Sequence, residues 1–66
     1  MNVMVIKQRL KQMERSQAWV SRRVNRTPAC VSYWFNNKVT PELSMIQRIA
    51  DILGIGLDTI IERESK

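Results

Sequence analysis

The stretch from Ser16 to Lys38, SQAWVSRRVNRTPACVSYWFNNK, constrains the fold more than any other part of this chain. Ser16 is a good helix N-cap, because its hydroxyl can accept an orphan backbone N–H. Val20, Ser21 and Val24 then recur on one face. Asn25 suits a helix stop or tight turn, since it takes positive φ at lower cost than most other residues. Thr27-Pro28 follows at once, with Thr as N-cap and Pro at the first helical position. The spacing predicts one short helix over about 16–24 and a second from Pro28 to about Phe35, with Val31 and Trp34 inward.

The flanks read as support. Val3, Ile6, Leu10 and Met13 recur at helical spacing and predict a first helix from about Asn2 to Met13, with Lys7, Arg9 and Lys11 off the stripe. Asn36-Asn37-Lys38 reads as a turn. Thr40-Pro41 repeats the cap-plus-proline signal and is expected to open helix 4, with Leu43, Ile46, Ile49, Ala50 and Leu53 on one face. Gly54 stands where a glycine just past a helix is expected. Leu57, Ile60 and Ile61 predict a last helix from Leu57 to about Arg63. The expected architecture is all-α: one compact five-helix domain over residues 1–66, with no repeat and no linker.

Composition removes most function classes. A chain of 66 residues is enough for one small domain and leaves no room for an enzyme's cleft beside a core. Such a domain buries only about 60% of its unfolded surface, so modest stability is expected. The single cysteine, Cys30, excludes an internal disulfide and suits a reducing cytoplasm. Histidine is absent, which excludes the usual zinc sets and His-based catalysis. No nucleophile–base pair or phosphate loop is visible, so no catalytic residue, metal or cofactor is expected. No apolar run approaches the ~20 residues of a membrane span, and the start MNVMVIKQRLK lacks the layout of a secretory signal. The net charge of +5 is uneven. Residues 1–40 hold eight Lys/Arg against one acid, Glu14, whereas residues 41–66 hold three against five. One basic end fits a protein that presents that end to a polyanion.

Two short helices joined by a tight turn, in a basic half, form a helix-turn-helix whose second helix can enter the major groove of DNA. At this level the chain resembles the Cro and repressor family of phage and bacterial regulators, the lambda-repressor-like helix-turn-helix domains. The resemblance covers roughly residues 6–61. It rests on Ser16-Gln17, Val20-Ser21, Val31-Ser32-Tyr33-Trp34, Asn36-Asn37-Lys38 and the closing IQRIADILGIGLDTII from Ile46 to Ile61. The chain also departs from the family. Glu14-Arg15 stand where Gly-Leu is common, Asn25 and Asn37 replace glycines, and helix 1 is shorter. Trp34 fills a slot for a large buried residue.

Candidate contacts follow. The N-terminal part of a recognition helix reads bases, which places Thr27, Pro28 and Ala29 nearest the base edges. Pro28 and Ala29 can touch thymine methyls but make no bidentate contact. Ser32 and Tyr33 lie one turn further on, away from Val31 and Trp34, and are expected to hydrogen-bond bases. The resemblance implies phosphate contacts for Gln17 at the start of helix 2 and for Asn36, Asn37 and Lys38 after helix 3. Arg26, in the turn, is expected to join them; Arg22 and Arg23 are expected mainly to be solvated. Trp19 lies off the inner stripe and has three readings: it covers the end of helix 1, stacks on Arg23, or joins a protein contact. Cys30 is expected in a small, partly buried slot.

The leading expectation is a cytoplasmic, sequence-specific double-stranded DNA binder of a bacterial cell or phage-infected host. The resemblance points to a Cro-like repressor, bound as a homodimer to a palindromic operator, with the C-terminal region as the dimer surface. No membrane or small-molecule substrate is expected. The alternative is a protein-interaction module on the same fold, such as an antitoxin, which an exposed Trp19 and the weakly polar start of helix 3 would favour.

Overall fold

The computed structural model describes residues 1–61. Among them are five helices and no strand: α1 Val3–Met13, α2 Gln17–Val24, α3 Pro28–Phe35, α4 Leu43–Leu53 and α5 Leu57–Ile60. Helix α4 packs against α1, α2 and α5, while α3 packs on α2. The core they share is apolar and closed; Ile6, Val20, Val31, Ile49, Leu53 and Ile60 are inaccessible to solvent. No helix among the described residues is long and apolar enough to cross a membrane.

The first four helices stop in the same way. A residue in the left-handed region breaks each one: Glu14 (φ 57°), Asn25 (φ 60°), Asn37 (φ 60°) and Gly54 (φ 69°). The next residue's N–H then donates five residues back, Arg15 to Leu10 (2.9 Å), Arg26 to Ser21 (2.9 Å), Lys38 to Tyr33 (2.9 Å) and Ile55 to Ala50 (3.1 Å). Each bond satisfies a carbonyl that the ended helix would otherwise orphan. Glycine and asparagine suit this backbone. Glu14 does not, so its position in the slot where the family commonly has glycine stores strain of about 1 kcal/mol.

Long-range ties close the two ends of the chain. Asn2 is the N-cap of α1, its Oδ1 accepting from the Val5 N–H, and its own N–H donates to the Ile60 carbonyl at 2.6 Å. Arg9 Nε donates to the Leu53 carbonyl at 2.7 Å, and a second guanidinium nitrogen lies 3.5 Å from where a Cβ on Gly54 would stand. A cation at a helix C-terminus meets both its free carbonyls and its dipole. Arg9 thus staples α1 to the end of α4 and is not one more solvated charge of the basic half.

Three expectations need correction. Thr40-Pro41 does not open α4: Pro41 is buried, Glu42 is the N-cap in extended backbone, and the helix begins at Leu43. Pro41 packs into the fold instead of starting a helix. The Glu42 side chain makes no capping bond and accepts instead from the Ser44 hydroxyl at 3.2 Å. Leu43 is 59% exposed, so it is not part of the inner face, which Met45, Ile46, Ile49, Ala50 and Leu53 form. At about 100° per residue, Leu43 stands roughly a quarter turn off the centre of that stripe. The last helix stops at Ile60, because Ile61 is extended (φ −77°, ψ 124°). Its expected end at Arg63 lies outside the described residues.

Two substitutions separate strain from support. Glu14→Gly is expected to raise stability by up to about 0.5 kcal/mol, the left-handed penalty of about 1 kcal/mol removed less the added freedom of the unfolded chain. Arg9→Ala is expected to lower it by roughly 1.5 kcal/mol, the scale of a hydrogen bond from a charged group. Urea unfolding of both variants checks the pair.

Candidate nucleic-acid interface

Helix α2 opens on Ser16, whose Oγ accepts from the Trp19 N–H at 3.3 Å. Gln17 is its first residue and half-buried. Val20, Ser21 and Val24 face the core. Ser21 is 2% exposed, and its hydroxyl donates to the Ala18 carbonyl at 2.7 Å, so no polar atom is orphaned there. The Ser21 carbonyl accepts from the N–H groups of Asn25 and Arg26. That shared acceptor and the left-handed Asn25 turn the chain sharply into α3.

Thr27 caps α3, its Oγ1 accepting from the Cys30 N–H at 3.2 Å, and Pro28 is the first helical residue. Val31, Trp34 and Phe35 point inward. Trp34 fills the buried slot expected of it, at 6% exposure. Phe35 is at 1% and is the largest side chain fully enclosed, an inward role that the short stripe of α3 left unread. Cys30 is half-buried, as expected.

With that side committed to the core, the outer side of α3 carries the candidate residues. Thr27, Pro28 and Ala29 are exposed at its start. Tyr33 is 51% exposed and one turn beyond Ala29 on the same face. Ser32 is half-buried, and its Oγ accepts from Asn36 Nδ2 at 3.2 Å. Asn36, Asn37 and Lys38 follow, all exposed, with the Lys38 N–H turned back to the Tyr33 carbonyl. Arg26 is exposed in the turn. The segment from Arg26 to Lys38 holds every candidate but Gln17, which is the first residue of α2. Between Glu14 and Glu42 the chain has five Lys/Arg and no acid, a local charge balance that favours phosphate.

Trp19 is half-buried and packs against the core, which corrects its reading as an exposed residue. The Arg15 guanidinium lies 5.2 Å from its ring centroid and that of Arg23 5.6 Å, both within cation–π range. The i, i+4 spacing puts Trp19 and Arg23 on one side of α2, and Arg15 reaches the same ring from before the helix. The stacking on Arg23 read from sequence is present; the partnership with Arg15 was not foreseen, because Arg15 precedes the helix.

Residues 6–60 match the family model described as helix-turn-helix, and the chain belongs to this family, of the Cro and C1 type. Neither a curated protein nor a solved structure matches the chain. Membership makes this a DNA-binding domain of the kind used in transcriptional regulation.

The cap is separable from any contact Thr27 makes. Thr27→Ala is expected to cost about 1 kcal/mol of stability, and Thr27→Ser to restore most of it. Thermal unfolding of the two variants, without DNA, is the check.

Proposed function

We propose that the chain is a Cro-like repressor: one domain over residues 1–66 that binds a palindromic operator as a homodimer and blocks transcription by occupying a promoter. The observation that carries this reading is the division of α3. One side is buried to the last few per cent, and the other is an exposed, acid-free face from Thr27 to Lys38. Repression by occupancy needs affinity and no catalysis.

On this reading Thr27, Pro28, Ala29, Ser32 and Tyr33 face the bases. Gln17, Arg26, Asn36, Asn37 and Lys38 hold the backbone phosphates, which set register and salt-dependent affinity. Pro28 and Ala29 offer apolar contact to thymine methyls, so direct readout at the helix start is sparse and Tyr33 carries more of it. DNA shape then supplies part of the specificity. The dimer surface is the C-terminal region, where Ile55, Leu57 and Ile61 remain half-buried in one protomer. The antitoxin alternative loses one of its two supports, since Trp19 is half-buried under two guanidiniums.

Selection from a random duplex pool supplies the test sequence. Tyr33→Ala is expected to weaken the selected duplex roughly ten- to hundredfold and scrambled DNA little. Lys38→Ala is expected to weaken both alike and to reduce the slope of log K against log salt by about 0.9. Equal loss on both duplexes for Tyr33→Ala, or no palindrome among the winners, contradicts the proposal.

A further inference from the structure

One concavity of the described surface lies off the outer face of α3. It lies in the corner between α2 and α3, about 650 Å³, lined by Ser21, Arg22, Asn25, Arg26, Thr27 and Cys30. It is a shallow, open corner, and its lining differs from the apolar one usual in small-ligand pockets. It has two guanidiniums, an amide, two hydroxyls and a thiol, with no large apolar side chain and no acid. Arg22 and Arg26 have no acidic partner or hydrogen-bond acceptor among the described residues. Both are exposed, and their spacing of four residues across the Asn25 turn brings them to one cleft. The two hydroxyls are already engaged, Ser21 with the Ala18 carbonyl and Thr27 with the Cys30 N–H. What remains open to a ligand is a set of donors, ~five on each of Arg22 and Arg26, together with the side-chain amide of Asn25.

We propose that this corner cleft is a phosphate-group site held by Arg22 and Arg26, with the DNA backbone as the source of the phosphate. Two guanidiniums with no partner among the described residues match the paired oxygens of a phosphate. The room beside them suits a phosphodiester with its sugar. The cleft shares Arg26 and Thr27 with the start of α3, so a strand whose bases meet Thr27–Ala29 carries a phosphate past its mouth. The inference rests on the DNA reading for its source, not for its chemistry. It assigns Arg22 a contact that the solvated reading denied it, and it makes the corner of the motif a backbone clamp in addition to the turn after α3.

Two measurements on the same variants test it. Amide shifts in ¹⁵N spectra are followed during titration with inorganic phosphate, at ionic strength held constant with chloride. Binding of the selected and a scrambled duplex is measured across a salt series. Wild type, Arg22→Ala, Arg26→Ala and the double variant are compared, with unfolding curves to verify that each is folded. The expected result is a saturable phosphate shift at Arg26 and Cys30 that the double variant lacks. The slope of log K against log salt is expected to shrink by about 0.9 for each arginine removed, equally on both duplexes. A phosphate shift with unchanged DNA slopes would keep the site and overturn the DNA source, pointing to a free phosphorylated ligand. No wild-type DNA binding, with the phosphate shift intact, would sink the DNA reading and leave the cleft's chemistry standing. No phosphate-specific shift and no change of slope would overturn the inference.

Discussion

Everything on the outer side of α3 depends on how its inner side is held against α2. Helix α2 packs on α3, and Val20 and Val24 of the one and Val31 of the other are closed to solvent in the shared core. Ser21 sits in the corner and is small enough to let the helices approach. Its hydroxyl is satisfied within its own helix, and its carbonyl ties down Asn25 and Arg26. A larger side chain at this site would overpack the corner, with a cost of typically 1–3 kcal/mol and a shift of α3. The angle of α3 thus rests on the packing of Val20, Ser21, Val24 and Val31. Helix α3 is only eight residues long and could not hold its conformation alone, so packing against α2 is what makes it a surface at all.

Much of this was legible because the signals are local. Ser16 and Thr27 cap helices three residues before the N–H they accept, and both do so here. Asn25 suits positive φ and adopts it, and so does Asn37 in the turn after α3. The apolar stripes of α1, α2 and α4 name most of the core. What misled was a local signal overridden by packing. Thr27-Pro28 and Thr40-Pro41 are the same dipeptide, yet only the first opens a helix. Buried Pro41 anchors the loop, and α4 starts two residues later.

What stayed invisible was non-local. Arg9 binds a carbonyl 44 positions away, and no pattern around Arg9 announces that. The inward turn of Phe35 and the stacking of Arg15 on Trp19 likewise require knowing where α1 ends and α2 begins. Of the candidate site, the members of the outer face were readable from the turn chemistry and the inward pair Val31 and Trp34. The cleft at the corner was not, because it exists only once two helices cross.

The charge of the basic half is therefore not one undivided field. Arg9 is spent on the end of α4, and Arg15 and Arg23 lie on Trp19. Arg22 and Arg26 converge on the corner, and Lys38 stands alone after α3. On the proposed reading this leaves phosphate contacts at both ends of the recognition helix, with a sparse apolar and phenolic surface between them. Such an arrangement positions the helix firmly and reads few bases directly. The central claim is that the divided α3 presents its outer face to DNA. Mapping ¹⁵N amide shifts on addition of a selected duplex tests it most directly. The account predicts perturbation at Gln17, Arg26 to Ala29, Tyr33 and Asn36 to Lys38, with the outer side of α1 silent. Perturbation centred on α1 or α4 with α3 silent would contradict it.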